Sequence, residues 1–308
     1  MKKNSTLNNI NGVLLLDKPN GITSNAALQQ VKRLFSASKA GHTGSLDPLA
    51  CGMLPLCFGE ATKFSQYLLD ADKHYIVVAK LGIKTATGDA EGKIIQEIPV
   101  NNISSSELTK VLRDFQGDIK QIPSMYSAIK VNGEPLYKLA RRGLEIPRAE
   151  RPVTIHELSL LTYNNHCLTL EVRCSKGTYI RTLIEDIGDV LGYGAHVIYL
   201  RRLAVGHFNA NQMVMMSTLE SAKEQNDLES FLLPTTSIIE DFPIVRLSNS
   251  AIFYLRRGEA VMAPKTANMG FVRLESATGQ FLGVGEVRDD GKVAPQRLVK
   301  QAAGVETF

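Results

Sequence analysis

Apolar residues are arranged in two ways along this 308-residue chain, and each arrangement predicts its own kind of element. GVLLLDKP (12–19) is a short unbroken apolar run closed by proline, which predicts a buried strand. TSNAALQQVKRLF (23–35) has the spacing of an amphipathic helix, with Thr23 or Ser24 as its N-cap. A second helix is predicted over GEATKFSQYLL (59–69) and a strand over HYIVVAKLG (74–82). Ser104 and Glu107 have capping-box spacing ahead of LTKVLRDF. TIHELSLLTY (154–163) and CLTLEVRCS (167–175) read as strands turning through an asparagine pair. TYIRTLIEDIGDVLG (178–192) reads as helix and HVIYLRRLAVGHF (196–208) as mostly strand. Strands and helices mix without strict alternation, so the predicted class is α+β with a mixed, largely antiparallel sheet.

Near residue 245 the pattern changes to short strands separated by ATG and DDG turns, in FVRLESATGQFLGVGEVRDDGKVAPQRLV (271–299). Two domains are expected: a large one over 1–247 and a small β-rich one over 248–308.

Composition narrows the class. Hydrophobic residues make up 44% and charged residues 21%, which is ordinary for a globular chain and argues against disorder. No apolar run approaches the ~18 residues of a membrane span, and VLLL is too short for a signal peptide. A cytoplasmic protein without membrane contact is expected. Cys51, Cys57, Cys167 and Cys174 form no CxxC pair, and the histidines are scattered; reduced thiols and no metal centre follow. Net charge is only +4, but residues 120–151 hold seven basic side chains against three acidic ones. Such an arm suits a phosphate backbone or a solvated helix face.

The stretch with surplus chemistry is GHTGSLDPLACGML (41–54). Glycine and Asp-Pro make a turn, but a turn needs neither His42 nor a lone carboxylate. Asp47 before Pro48 suits a helix N-cap or Asx turn; it equally suits an exposed carboxylate available as nucleophile or base. Arg181 in KGTYIRTL is the candidate cation to keep it ionised, with Gly177 allowing close backbone approach. Tyr75 is a core tyrosine or a ring for stacking a base, and His42 a turn residue, a general base or a planar wedge into RNA. QIPSMYSAIKVNGEPLYKLARRG (121–143) interleaves Tyr126 and Tyr137 with basic residues, as RNA-contacting segments do.

GHTGSLDPLACGMLPLCFGEATK, KHYIVVAKLGIKTATGDAEG, QIPSMYSAIKVNGEPLYKLARRG and CSKGTYIRTLIEDIG follow one another in this order. With GVLLLDKPNGITS before them and GEVRDDGKVAPQRLV after, the chain resembles the bacterial tRNA pseudouridine-55 synthases of the TruB type over nearly its whole length. The resemblance implies isomerisation of one uridine in the tRNA T-loop, with no metal or organic cofactor. It implies Asp47 as the catalytic carboxylate, Arg181 paired with it, Tyr75 packed on the target base, and Tyr179 and Leu200 in the same pocket. Asp89 joins the polar network, His42 fills the space left by the everted base, and Lys18 and Lys63 contact the RNA backbone. The arm at 120–151 clamps the T-arm, and the last domain is a PUA-like RNA-binding unit. Ser124 departs from the family's usual second proline, and Ser45 sits at a variable position.

The chemistry needs one ionised carboxylate and a pocket that retains a detached base. Attack at C1′, attack at C6 and removal of the C2′ proton are all open to that carboxylate. Three other readings compete: a non-catalytic RNA-folding protein, which has no use for Asp47; a guide-dependent synthase subunit, against which the long arm and the lack of a lysine-rich tail speak; and, more distantly, an α+β hydrolase. A monomer acting on tRNA without an obligatory protein partner is expected.

Overall fold

The computed structural model describes residues 7–262 and 269–300; residues 301–308 of the expected C-terminal domain lie outside them. The fold is α+β, as the pattern predicts. Nine strands make the main sheet, with a spatial order unlike the chain order. From one edge it runs Val214–Met215, Gly12–Lys18, Cys51–Phe58, Ala195–Val205, Lys73–Leu81, Cys167–Cys174, Arg151–Asn164 and Gly117–Gln121. Ala40–His42 adds beside Cys51–Phe58. Two pairings are parallel, Gly12–Lys18 with Val214–Met215 and Ala195–Val205 with Cys51–Phe58; the others are antiparallel.

Lys73–Leu81 is central, and every second side chain from Lys73 to Leu81 is buried. Val77, Ala79, Leu170 and Val172 pack against Leu183, Ile184 and Ile187 of the Ile180–Val190 helix, and this core reaches Leu46, Tyr75 and Leu200. That packing brings the edges of the future site together. Thr23 caps the Ser24–Leu34 helix, its hydroxyl accepting from the Ala26 N–H at 3.1 Å. Ser104 accepts from Glu107 N–H, the forward half of the expected box. The segment predicted as one helix over 59–69 is a 3₁₀ turn, Gly59–Phe64, that runs into the helix Ser65–Asp70.

The arm leaves and re-enters the sheet at one point, because Gln121 pairs with Arg151 across adjacent strands. Between them Asn132 (φ 50°) and Gly133 (φ 84°) form the two-residue turn of a small hairpin, the preferred chemistry for positive φ at both positions. Met125, Leu136 and Leu139 give the arm a small core of its own.

A five-stranded sheet occupies the C-terminal part, ordered Ile244–Leu247, Gly270–Ser276, Phe281–Val287, Lys292–Leu298, Val261–Met262. Its first strand starts at Ile244, before the position where the pattern puts the boundary. It also carries a helix, Asn249–Arg256, capped by Ser248, that strand periodicity does not announce. Val284 and Phe281 pack with Phe64, Leu68 and Ile238 of the larger unit, so apolar burial spans both parts.

Candidate active site

Asp47 lies in the loop between the Ala40–His42 and Cys51–Phe58 strands. The chain after it is strand, not helix, so the N-cap reading of Asp47 fails: β pairing with Gly12–Lys18 and Ala195–Val205 claims the residues that follow. Three neighbours hold the loop. The Ser24 hydroxyl donates to the Leu46 carbonyl (2.9 Å) and accepts from its N–H (2.7 Å). Gly21 N–H donates to the Pro48 carbonyl at 2.7 Å. Arg202, 1% exposed, donates from Nε to the Met53 carbonyl (2.7 Å) and from Nη2 to that of Gly44 (3.2 Å). Gly52, at φ 97°, has no alternative in this arrangement, because a Cβ there would meet the Arg202 carbonyl oxygen at 2.3 Å.

Arg181 enters from the first turn of the Ile180–Val190 helix and is 7% exposed. Its Nε lies 2.9 Å from Asp47 Oδ2. Nη1 donates to the Thr87 carbonyl (2.8 Å) and faces Asp89 Oδ2 at 3.4 Å, while Nη2 donates to the Tyr126 carbonyl (3.1 Å). One buried guanidinium thereby joins two carboxylates and two peptide carbonyls, which only a planar fork of donors can do. Asp89, 3% exposed, also accepts from Glu91 N–H and the Thr87 hydroxyl.

A pocket of about 320 Å³ opens over the pair, lined by Gly44, Leu46, Asp47, Tyr75, Tyr179, Arg181, Leu200 and Arg202, with Tyr126 from the arm. The structure thus brings Asp47, Tyr75, Tyr179, Arg181 and Leu200 to one place, with Asp89 behind Arg181. Although 39% of the Asp47 side chain still meets solvent, protein surrounds most of it. Burial pushes its carboxyl above the ordinary range; Arg181 and Lys18 pull it down, and Asp89 adds to the rise. The expected depression by Arg181 is therefore outweighed by desolvation. Burial likewise raises the Tyr75 and Tyr179 phenols, leaving both rings neutral near pH 7.

Other expected residues lie elsewhere. Lys18 is fully buried and donates to the carbonyls of Pro19 and Ile22, both at 2.8 Å, so it is closed to an RNA phosphate. Burial lowers its pKa to about 8. Lys63 pairs with Glu60 (2.7 Å) and donates to the Leu298 carbonyl (3.0 Å), which makes it a tie to the C-terminal sheet. His42 stands outside the residues lining the pocket, with its Nδ1 buried and without a partner in the structure. Burial and then Arg202 lower its pKa, so the ring is neutral. Gly177 serves conformation (φ 80°); nothing lies within 4 Å of a Cβ placed there, so close approach within the protein is not its role. Ser124, in place of proline, accepts from Tyr126 N–H at 3.1 Å and makes a hydroxyl-stabilised turn at the base of the arm.

Gln121 and Arg202 escape the sequence reading, and Ser24 enters it only as a helix-cap candidate. Each acts through bonds to backbone groups of distant segments, which leave no periodicity or spacing. A larger cleft of about 770 Å³ between arm and helix shares Tyr126, but its carboxylates (Glu145, Glu150, Glu185, Asp186, Asp189) outnumber its cations (Lys84, Lys120, Arg148), which disfavours a phosphate chain.

Comparison with known proteins bears on this arrangement. Residues 32–180 match the family model for the TruB family pseudouridylate synthase N-terminal domain. Residues 181–240 match the tRNA pseudouridylate synthase B C-terminal domain, and 243–299 match the C-terminal unit of pseudouridine synthase II TruB. The tRNA pseudouridine synthase B of Coxiella burnetii (strain RSA 331 / Henzerling II) is 54% identical over 295 residues, covering 95% of this chain and 96% of its own. That of Escherichia coli (strain K12) is 52% identical over 300 residues, covering 94% and 95%. Among solved structures, a chain of an H/ACA ribonucleoprotein bound to a substrate RNA containing 2′-deoxyuridine aligns with a TM-score of 0.71. It is 23% identical and covers 94% of this chain and 85% of that chain, a likeness of fold.

Proposed function

The chain belongs to the TruB family of pseudouridylate synthases, and from this premise we propose that it isomerises the uridine at position 55 in the T-loop of tRNA, with Asp47 as the catalytic carboxylate. The observation that carries the reading is the Asp47–Arg181 pair at the base of a pocket bounded by Tyr75, Tyr179 and Leu200.

The reaction neither adds nor removes atoms. The N1–C1′ bond breaks, a C5–C1′ bond forms, and the proton at C5 is exchanged for one at N1. A uridine stacked in a folded loop must first be everted, at roughly a few kcal/mol. Stacking on an aromatic ring returns about 1–3 kcal/mol per base, and Tyr75 is an aromatic residue that lines the pocket with Asp47. Arg181 fixes the direction of the carboxylate and, from its buried position, opposes part of the rise that desolvation imposes on it. Leu200 and Leu46 supply apolar walls that hold a released base against diffusion.

The RNA-contacting parts are the arm, whose Arg141 and Arg142 are exposed, and the C-terminal sheet, which we read as a PUA-like RNA-binding unit that starts at about Ile244 and not at 248. His42, neutral and beside the pocket, is suited to take the stacking place of the everted base. We read the enzyme as a monomer working on tRNA in the cytoplasm; among the described residues no helix is long and apolar enough to cross a membrane.

The deciding experiment incubates the pure protein with an unmodified tRNA transcript, without added cofactor, and maps pseudouridine by chemical derivatisation. Modification at the one T-loop uridine is expected. No product, or product scattered over several loops, overturns the reading.

A further inference from the structure

Gln121 stands where the arm joins the sheet. It is 2% exposed, the last residue of the Gly117–Gln121 strand, and opposite Arg151. Its Nε2 donates to the Tyr179 carbonyl at 3.2 Å, and its Oε1 accepts from the Tyr179 N–H at 3.0 Å. One side chain thus satisfies both backbone groups of Tyr179, as a neighbouring strand would. Tyr179 is the N-cap of the Ile180–Val190 helix and has no side-chain cap of its own. The helix entry that offers the Tyr179 ring to the pocket and Arg181 to Asp47 is therefore anchored on Gln121. Farther along the arm, the Tyr126 carbonyl accepts from Arg181 Nη2. The arm grips the same short segment twice, at the backbone of Tyr179 and at the guanidinium of Arg181.

We propose that Gln121 is a positioning residue for the isomerisation, tying the root of the RNA-clamping arm to the Tyr179–Arg181 segment so that arm placement and orientation of the Arg181–Asp47 pair are one arrangement. The proposal rests on the reading under Proposed function. An amide suits the task because it donates and accepts at once; a carboxylate only accepts, and a thioether does neither usefully. Without the two bonds, the Tyr179 N–H loses its partner and its carbonyl keeps only the Leu183 N–H at 3.0 Å within the helix, so nothing from the arm fixes the backbone of the helix entry. A displacement of about 1 Å in a catalytic group is enough for a loss on the order of 100-fold. RNA affinity, drawn from phosphates and stacking over a wide surface, should stay nearly unchanged.

The test uses the full chain with Gln121→Met, of similar size and no charge, and Gln121→Glu, which keeps the shape and one bond. Thermal midpoints are measured first, then the single-turnover rate on a tRNA transcript, the Kd for tRNA, and the rate profile over pH 5 to 8. A rate loss of about 10- to 100-fold in both variants, with Kd within threefold of wild type, is expected. In Gln121→Met the acid limb should also move to higher pH, because an Arg181 no longer held against Asp47 opposes desolvation less. The charged groups facing Asp47 that set this limb are Arg181, Asp89 and Lys18. A merely structural role would leave the limb in place. Rates within threefold of wild type overturn the proposal, as does a rate loss matched by an equal loss of affinity with the limb unmoved. If Gln121→Met does not fold, the rate and Kd of Gln121→Glu decide by the same two criteria. A wild-type protein that forms no pseudouridine overturns the functional reading and this inference together; active wild type beside unaffected variants overturns the inference alone.

Discussion

Arg181 Nε sits 2.9 Å from Asp47 Oδ2, and the rest of the same guanidinium is spent on Asp89, Thr87 and Tyr126. A cation that is 7% exposed has no water to fall back on, so each partner constrains the others. The carboxylate that faces the pocket is aimed by a network reaching into the arm and into the 85–92 turn.

Asp47→Asn should abolish isomerisation while tRNA affinity stays within roughly tenfold, since affinity comes mainly from phosphate and stacking contacts. Measurable turnover by the asparagine protein, once deamidation back to aspartate is excluded, would falsify the assignment.

Arg181→Lys should lower the single-turnover rate by at least about 100-fold and affinity only mildly. Lysine keeps the charge, but its three donors at one point cannot serve Asp47, Asp89, Thr87 and Tyr126 from a planar fork. A near-wild-type rate in this variant would count against the pair as the aiming device.

Stability should fall with rising pH through two acids beneath the arm. Burial raises Glu185 from 4.5 to about 7 and Asp186 from 3.8 to about 6. A carboxyl whose folded pKa exceeds its unfolded value contributes stability that is full below the unfolded pKa and lost as pH rises through the folded one. For these two the window runs from the unfolded values up to about 7. Glu185→Gln should therefore raise the denaturation midpoint relative to wild type at pH 8 and give little or no gain at pH 4.5. Equal differences at both pH values would show that the side chain is not titrating in that window.

Neutralising Arg141 and Arg142 to glutamine should weaken tRNA binding and flatten its salt dependence. Both are exposed, though Arg142 also pairs with Glu134 at 2.7 Å and Arg141 lies over the Tyr137 ring. Each phosphate left without its cation lowers the log–log slope by up to about 0.9. Arg148 is the contrasting case, half-buried and bonded to the Pro123 carbonyl, so its loss should disturb the arm itself. An unchanged slope in the double variant would remove the arm from the RNA contacts.

Local order was legible wherever neighbours in the chain decide it. Thr23 and Ser104 cap the helices their spacing announces. Misreadings came where distant partners win. Asp47-Pro48 looks like a helix start, but the Cys51–Phe58 strand is claimed by ladders on both sides. Lys18 is expected on the RNA backbone, yet pairing of its strand with the distant Cys51–Phe58 strand accompanies its full burial, and its ammonium turns to the carbonyls of Pro19 and Ile22.

The sequence by itself determined the α+β class, the family likeness, and which residue types carry the chemistry, because periodicity, caps and ordered motifs are properties of contiguous residues. Only the tertiary structure decided that Tyr126 of the arm and Arg202 join the pocket that the family likeness implies for residues 47, 75, 179, 181 and 200, since the order of strands in a sheet is set by long-range pairing. It also decided the sign of the Asp47 shift, which depends on how much protein surrounds a carboxylate, and not on the cation beside it alone. The supports Ser24, Gln121 and Arg202 belong to the tertiary structure for the same reason: a buried side chain bonded to a remote backbone group leaves no pattern along the chain.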